Sequence, residues 1–275
     1  MNRRKLVTSS ILHLVLVAGA VATVIPLLWM VSASLMPAGE ATAFPPRVLP
    51  SRPTLSNYVA LFERLNIGRA FLNSAIVAVI STLCSLLFNS MAGYAFAKLR
   101  FRGRDRLFRF LVGSLAIPAQ VAMLPLFLLL KSMGLVNTYL GVMIPLMATI
   151  YGVFLVRQFM LSIPDELIAA ARIDGASEWQ IYWRVIMPVA RPVLATLAIF
   201  TFMSAWNDFM WPLVILTSDE KYTLPVAIAS LVGEHAQDIE LMMASSVLTV
   251  IPVLVLFFVL QKQYIAGLMS GSLKG

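Results

Sequence analysis

The sequence predicts an all-α polytopic membrane protein with six transmembrane helices. Three observations carry this. Of the 275 residues, 60% are hydrophobic and only 12% are charged, with a mean hydropathy of +0.86; soluble chains carry about 25% charge. Six apolar runs are long enough for a ~30 Å hydrocarbon core: about 11–35, 70–97, 107–131, 138–160, 191–216 and 241–262. Finally, most of the 21 Lys and Arg residues fall on alternate connections. Basic residues gather on the cytoplasmic side, so both termini are expected there. The net charge of +8 needs no nucleic acid to explain it.

The N-terminal MNRRK precedes an apolar run of 11–35. That is longer than the 7–15 residues of a signal peptide, so it reads as an uncleaved first span. The first outer loop, 37–69, carries Pro37, Pro45, Pro46, Pro50 and Pro53, a spacing that disfavours regular structure. Its end, LSNYVALFERLNIGRAF, reads as a short interfacial helix. Between spans two and three lies KLRFRGRDRLFR, with Lys98, Arg100, Arg102, Arg104, Arg106 and Arg109. The last outer loop, 218–240, is acidic, with Asp219, Glu220, Glu234, Asp238 and Glu240. The whole reads as one domain, 1–275.

The spans hold Pro26, Pro118, Pro125, Pro145, Pro212 and Pro252, which predict kinks satisfied by neighbours or cavities. They also hold Asn73, Asn89, Gln120, Asn207 and Asp208. Polar groups at membrane depth are functional candidates, here for a substrate path. The competing reading is structural. Asp208 would bond a broken backbone beside Trp206, Trp211 and Pro212, and the amides would bond between helices.

The longest break in hydrophobicity is the inner loop 161–190. Ser162, Pro164, Asp165 and Glu166 form a helix-start signal, with acids at the positive end. A short helix follows with Ala169, Ala170 and Ala171, and Gly175 supplies its stop. Ser177 with Gln180 reads as a capping box for a second helix, bounded by Pro188 and Pro192. The expectation is two short helices with a bend at Asp174–Gly175. An ordered element of this size between spans implies a soluble partner or a function of its own.

Several chemistries are excluded. There is one cysteine, Cys84, and two histidines, His13 and His235, far apart, so no disulfide framework or zinc site is expected. No phosphate-cradling G-x-x-x-x-G-K-[ST], H-E-x-x-H, C-x-x-C or G-x-S-x-G run occurs. Asp208 is the only acid well inside a span, whereas an ion-coupled carrier usually needs more than one such group. Energy for uphill transport is therefore expected from another subunit, and the chain is expected not to be an enzyme.

In this loop the sequence resembles the membrane-spanning subunits of binding-protein-dependent ABC importers, through ELIAAARIDGASEWQIYWRVIMP. Asp-Gly-Ala after the alanines is similar to the carbohydrate-uptake, maltose-type group. LSNYVALF, FLNSAIVAV, AGYAFAKLRFRGRD, WNDFMWPL and QKQYIAGLMSGSLKG extend the resemblance over nearly the whole chain. It implies the second permease of a heterodimeric pair, the one without an enlarged outer domain, in the bacterial inner membrane. Its implied partners are a homologous permease, two copies of an ATPase subunit that bind ATP and Mg, an extracytoplasmic solute-binding protein, and membrane lipid. No cofactor is implied in this chain. The implied substrate is a mono-, di- or oligosaccharide; polyols or glycerol phosphate esters are the alternative, and a secondary carrier the more distant one.

The resemblance makes the loop a coupling helix seated in an ATPase groove. Ala170, Ala171 and Gly175 match the family signature, and Asp174 and Ala176 the subtype. Small side chains admit the helix to a groove, and Gly175 makes the bend; Ser177 opens the second helix. The signature glutamate falls at Ala169, so Glu166, three residues earlier on the same face, either replaces it or serves only the helix dipole. Arg172 would pair with the ATPase or with lipid headgroups. The tail, with Gly271, Lys274 and Gly275, would reach between the ATPases or hang as a loose end.

Overall fold

The structure, a computed structural model, describes residues 3–45, 47–64, 66–234 and 238–272; among these every regular element is helical. The helices in chain order are α1 (Arg3–Ser34), α2 (Ser56–Arg64), α3 (Ile67–Lys98), α4 (Arg104–Ser114), α5 (Ala119–Ser132), α6 (Tyr139–Met147) and α7 (Ile150–Leu161). Next come α8 (Asp165–Ile173), α9 (Glu178–Gln180), a π turn (Ile181–Ile186) and α10 (Met187–Val189). The last are α11 (Arg191–Asn207), α12 (Met210–Ile215), α13 (Leu224–Glu234) and α14 (Ile239–Ser272).

Four stretches are long and apolar enough to cross a membrane: Ser9–Ser34, Ile67–Lys98, Tyr139–Leu161 and Ile239–Val259. Two more are bent pairs, α4 with α5 at 105° and Glu178–Val189 with α11 at 79°. The span expected over 107–131, with kinks predicted at its prolines, is sharply broken. Pro118 is the cause: it cannot donate a helical hydrogen bond, and it drives Ile117 out of the α region. The run 191–216 breaks at Asp208, whose backbone is extended (ψ 122), because Pro212 has no N–H for the Asp208 carbonyl four residues earlier. Within Tyr139–Leu161, Ala148 and Thr149 are extended, and Thr149 Oγ1 restarts the helix by accepting the Gly152 N–H at 3.0 Å. Pro26, Pro125, Pro145 and Pro252, by contrast, lie inside helices.

The expected interfacial helix is α2, and the Pro-rich stretch before it carries no helix. The acidic segment 218–240 is corrected. It contains the apolar helix α13, and Glu240 is fully buried, its carboxylate accepting the Ala41 N–H at 2.7 Å. The apolar core of α13 was masked in the sequence by charges on either side.

The chain forms two compact units, Met1–Gly68 with Ile228–Pro252 and Arg69–Ala227 with Val253–Gly275. In the first, Asn57 donates to the carbonyls of Ser34 and Met36, closing the turn after α1. In the second, α3 presents a buried polar face, with Asn73, Ser74, Ser81, Ser85 and Asn89 at helical spacing. One hydrophobic core there joins Tyr94, Ala97, Val156 and Met160 to Ile168, Ile181, Tyr182 and Ile186. It carries the loop 161–190 on the ends of α3 and α7.

Candidate functional site

The loop 161–190 is a tight helical hairpin. The first arm is α8, with Asp165 and Glu166 in its first turn. Ser162 does not open it, as expected from sequence. Its hydroxyl donates back to the Phe159 carbonyl at 2.7 Å and closes α7, so Pro164 is the residue before α8. The arm ends in a Schellman turn. The Ala176 N–H reaches the Ala171 carbonyl and the Gly175 N–H the Arg172 carbonyl, both at 3.0 Å. Gly175 takes φ +82 at this turn, a conformation that side chains with a Cβ resist. Nothing lies within 4 Å of an added Cβ there, so the glycine serves backbone geometry and not space. The Schellman contact is made by Ala171 and Ala176, both packed against the core.

The second arm opens with the predicted capping box. Ser177 Oγ accepts the Gln180 N–H at 3.3 Å, and Gln180 Oε1 accepts the Ser177 N–H at 2.8 Å. Pro188 was expected to bound this arm; the helix instead runs on to Val189. It accommodates Pro188 by widening into the π turn Ile181–Ile186, since the proline leaves the Arg184 carbonyl without its usual donor.

Two sets of polar contacts pin the hairpin to α3. Lys98, only 5% exposed, donates to Asp165 Oδ1 at 2.5 Å and to the Ile163 carbonyl at 2.6 Å. The hydrogen bond and the charge of Lys98 hold the Asp165 carboxyl below the usual aspartate value. Tyr94 donates to Glu178 Oε2 at 2.9 Å, while Arg172 donates to Glu178 Oε1 at 2.7 Å. Arg172 therefore pairs with Glu178 inside its own hairpin, with its side chain half exposed. The Schellman turn brings Glu178 back within reach, and this bond raises the Arg172 value.

What remains outward is a small-residue face. Glu166, Ala169, Ala170 and Ile173 recur at helical spacing and are all exposed, Ile173 to 86%. Asp174 and Ser177 are exposed at the turn. Trp179 is 57% exposed and stacks on Tyr182. Ile173, Glu178, Trp179 and Lys98 were not singled out from sequence. The signal for Ile173 was its place seven residues after Glu166; nothing local marked Lys98, which lies 67 residues from Asp165.

The polar residues of the spans separate into two groups. Asn73 Nδ2 donates to the carbonyls of Glu220 and Tyr222, and its Oδ1 accepts from the Tyr139 hydroxyl. Asn89 Nδ2 donates to Ser85, and its Oδ1 accepts the Thr149 N–H at the α6–α7 break. Asp208 accepts the Trp211 N–H at 3.4 Å at the start of α12. All three side chains bond backbone groups. Asn207 is exposed and donates to Met203 of its own helix, and Gln120 is exposed. Among the described residues, no group of three or more His, Cys, Asp or Glu could hold a metal ion; His235 lies outside them. Of the tail, Gly271 continues α14, while Lys274 and Gly275 lie outside the described residues.

Several helices of membrane length make this a multi-pass membrane protein. Residues 89–268 match the binding-protein-dependent transport system inner membrane component family, and the chain belongs to it. It is a transport component of an inner-membrane importer, not an enzyme. Membership implies, in general terms, a partner permease, an ATPase and a solute-binding protein. The chain is 38% identical to the arabinooligosaccharides transport system permease protein AraQ of Halalkalibacterium halodurans, over 98% of this chain and 99% of that one. It is 32% identical to the lactose transport system permease protein LacG of Rhizobium radiobacter, over 94% of each. A bacterial ABC transporter involved in the import of the acidic polysaccharide alginate has a chain that superposes with a TM-score of 0.84. That match has 26% identity and covers 96% of this chain and 99% of that one.

Proposed function

We propose that the hairpin is the coupling element by which a partner ATPase drives this permease, and that the cargo is a neutral sugar or oligosaccharide. The carrying observation is the outward face of Glu166, Ala169, Ala170 and Ile173 on a hairpin pinned to α3. Small side chains and one exposed isoleucine suit close entry into an apolar groove, and Glu166 offers the single charge for an opposing cation. In this reading α4 with α5 crosses once and α11 with α12 crosses once, giving six spans in one permease domain with both termini cytoplasmic. The working assembly is this chain, a homologous permease, two ATPase copies that hold ATP and Mg, and an extracytoplasmic binding protein. ATP binding draws the hairpins together and favours the outward-facing permease, through the different affinities of the ATPase states for its two conformations.

The sugar assignment rests on the relatives named above. The fold supports a neutral cargo: Arg157, beside the hairpin, lies 3.9 Å over the Phe108 ring and donates to the Phe96 carbonyl, so it is committed to packing. Gln120 and Asn207 are the remaining candidates for hydroxyl recognition.

The test is Ala170→Trp. The position is exposed, so the fold tolerates the ring while a groove does not. Expected are normal membrane insertion, loss of ATPase co-purification and at least a tenfold fall in sugar uptake. Near-normal uptake, or transport by vesicles containing this chain without an ATPase, overturns the proposal.

A further inference from the structure

The turn joining α3 to α4 concentrates unused positive charge. Arg100, Arg102, Arg104, Arg106 and Arg109 line an open concavity of about 850 Å³, with Asp105 as its one acid. Arg104 is committed to Asp105 Oδ1 at 3.0 Å and the Leu99 carbonyl at 3.2 Å, and Arg109 to the Asp105 carbonyl at 3.3 Å. Arg100, Arg102 and Arg106 make no hydrogen bond or ion pair among the described residues. Arg100 acts through its charge on Asp165, so the guanidinium forks of Arg102 and Arg106, each with five donors, are the ones in this depression without a hydrogen-bond or ion-pair partner. The depression also sits at the start of α4, whose first residue follows Gly103 at φ 86 with no side-chain cap.

The surrounding apolar residues point to the kind of ligand. Phe101 is 43% exposed, Leu107 48% and Phe110 75%. The 11 residues of α4 span about 16 Å, too short to cross a bilayer, and the helix turns 105° away from α5. A helix with arginines in its first turns and exposed Leu and Phe side chains suits a start at the membrane interface. The cluster also lies directly past the end of α3, a helix of membrane length. A soluble anion would engage the arginines and leave the apolar residues without a role. A phospholipid engages both: arginine binds phosphate oxygens in a bidentate fork, and the apolar side chains meet glycerol and upper acyl carbons.

We propose that this turn is a binding site for the phosphate of an anionic phospholipid headgroup. The site lies wholly within Leu99–Phe110 and is independent of the coupling assignment. It holds the α3–α4 corner at the membrane surface.

The full-length chain is purified in detergent and exchanged into phosphatidylcholine nanodiscs with and without phosphatidylglycerol, and retained lipid is read by native mass spectrometry. Phosphatidylglycerol is expected to be retained over phosphatidylcholine. The Arg102→Gln/Arg106→Gln variant, altered only at unpaired side chains, is expected to lose roughly tenfold of that preference. The Arg102→Lys/Arg106→Lys variant keeps the charge without the fork and is expected to retain an intermediate preference. Equal preference in the wild type and the Gln variant overturns the proposal. So does displacement of phosphatidylglycerol by inorganic phosphate, which marks a soluble-anion site.

Discussion

Asn73 and Lys98 lie twenty-five residues apart on one helix, about 38 Å along its axis, and both tie α3 to a distant segment. They do so by opposite chemistry. At the Asn73 end the bonds are neutral and directional. One amide serves two carbonyls and a tyrosine hydroxyl, and Ser74 Oγ accepts the Leu224 N–H at 2.7 Å. At the Lys98 end the bonds are ionic, and the acids reach water: the Asp165 side chain is 85% exposed and Glu178 49%. Ion pairs that reach water contribute little and exchange partners readily. The amide end is held by buried neutral bonds, while at the ionic end the exposed acids add to a hairpin that the shared hydrophobic core already carries.

Breaking the amide end is expected to have the largest effect. Asn73→Ala leaves two carbonyls and a tyrosine hydroxyl without their partner, at about 1–3 kcal/mol for buried groups left unpaired. The expected outcome is a lowered Tm of the detergent-purified protein, with little change in ATPase binding by whatever molecules still fold. An unchanged Tm would mean that the amide junction is not a fixed point.

Next comes the backbone of the hairpin. Gly175→Val places a β-branched residue at positive φ, at roughly 1–2 kcal/mol or more, and is expected to lower uptake about tenfold. Gly175→Asn, which tolerates that region, is expected to retain most uptake. Equal loss in both would shift the cause from φ to side-chain size at the partner surface.

The smallest effect concerns the ionic end and its pH dependence. Lys98 lowers the Asp165 value, so the pair's contribution is present above the unfolded aspartate value of about 3.9 and is lost as pH falls through the folded one. The Tm difference between wild type and Asp165→Asn is therefore expected to be level from about pH 7 to pH 5 and to close only below about pH 4. A difference that closes between pH 7 and pH 5 would show that Lys98 does not govern Asp165.

The hairpin was legible in the sequence because its signals are local. Gly175 needs positive φ, Ser177 and Gln180 cap each other, and the acids of α8 sit at its first turn, all within a few residues. Pro188 misled because a proline's missing bond has two outcomes, a stop or a widened turn, and buried Ile181, Tyr182 and Ile186 hold the helix together through the second. The candidate substrate path was less legible. A polar residue in an apolar run looks the same whether it faces cargo or a broken backbone, and Asn89 is decided by Thr149, sixty residues away.

The sequence by itself determined the helical, membrane-length elements, the segregation of basic charge and the two-helix hairpin, because hydrophobic run length and capping chemistry act over one or two turns. Only the tertiary structure decided how sharply the proline-bearing runs bend, that Arg172 pairs with Glu178, and that Lys98 clamps α8. It likewise decided which backbone groups Asn73, Asn89 and Asp208 bond. Those outcomes depend on which carbonyls and carboxylates long-range packing brings within hydrogen-bond reach, and no local pattern carries that distance.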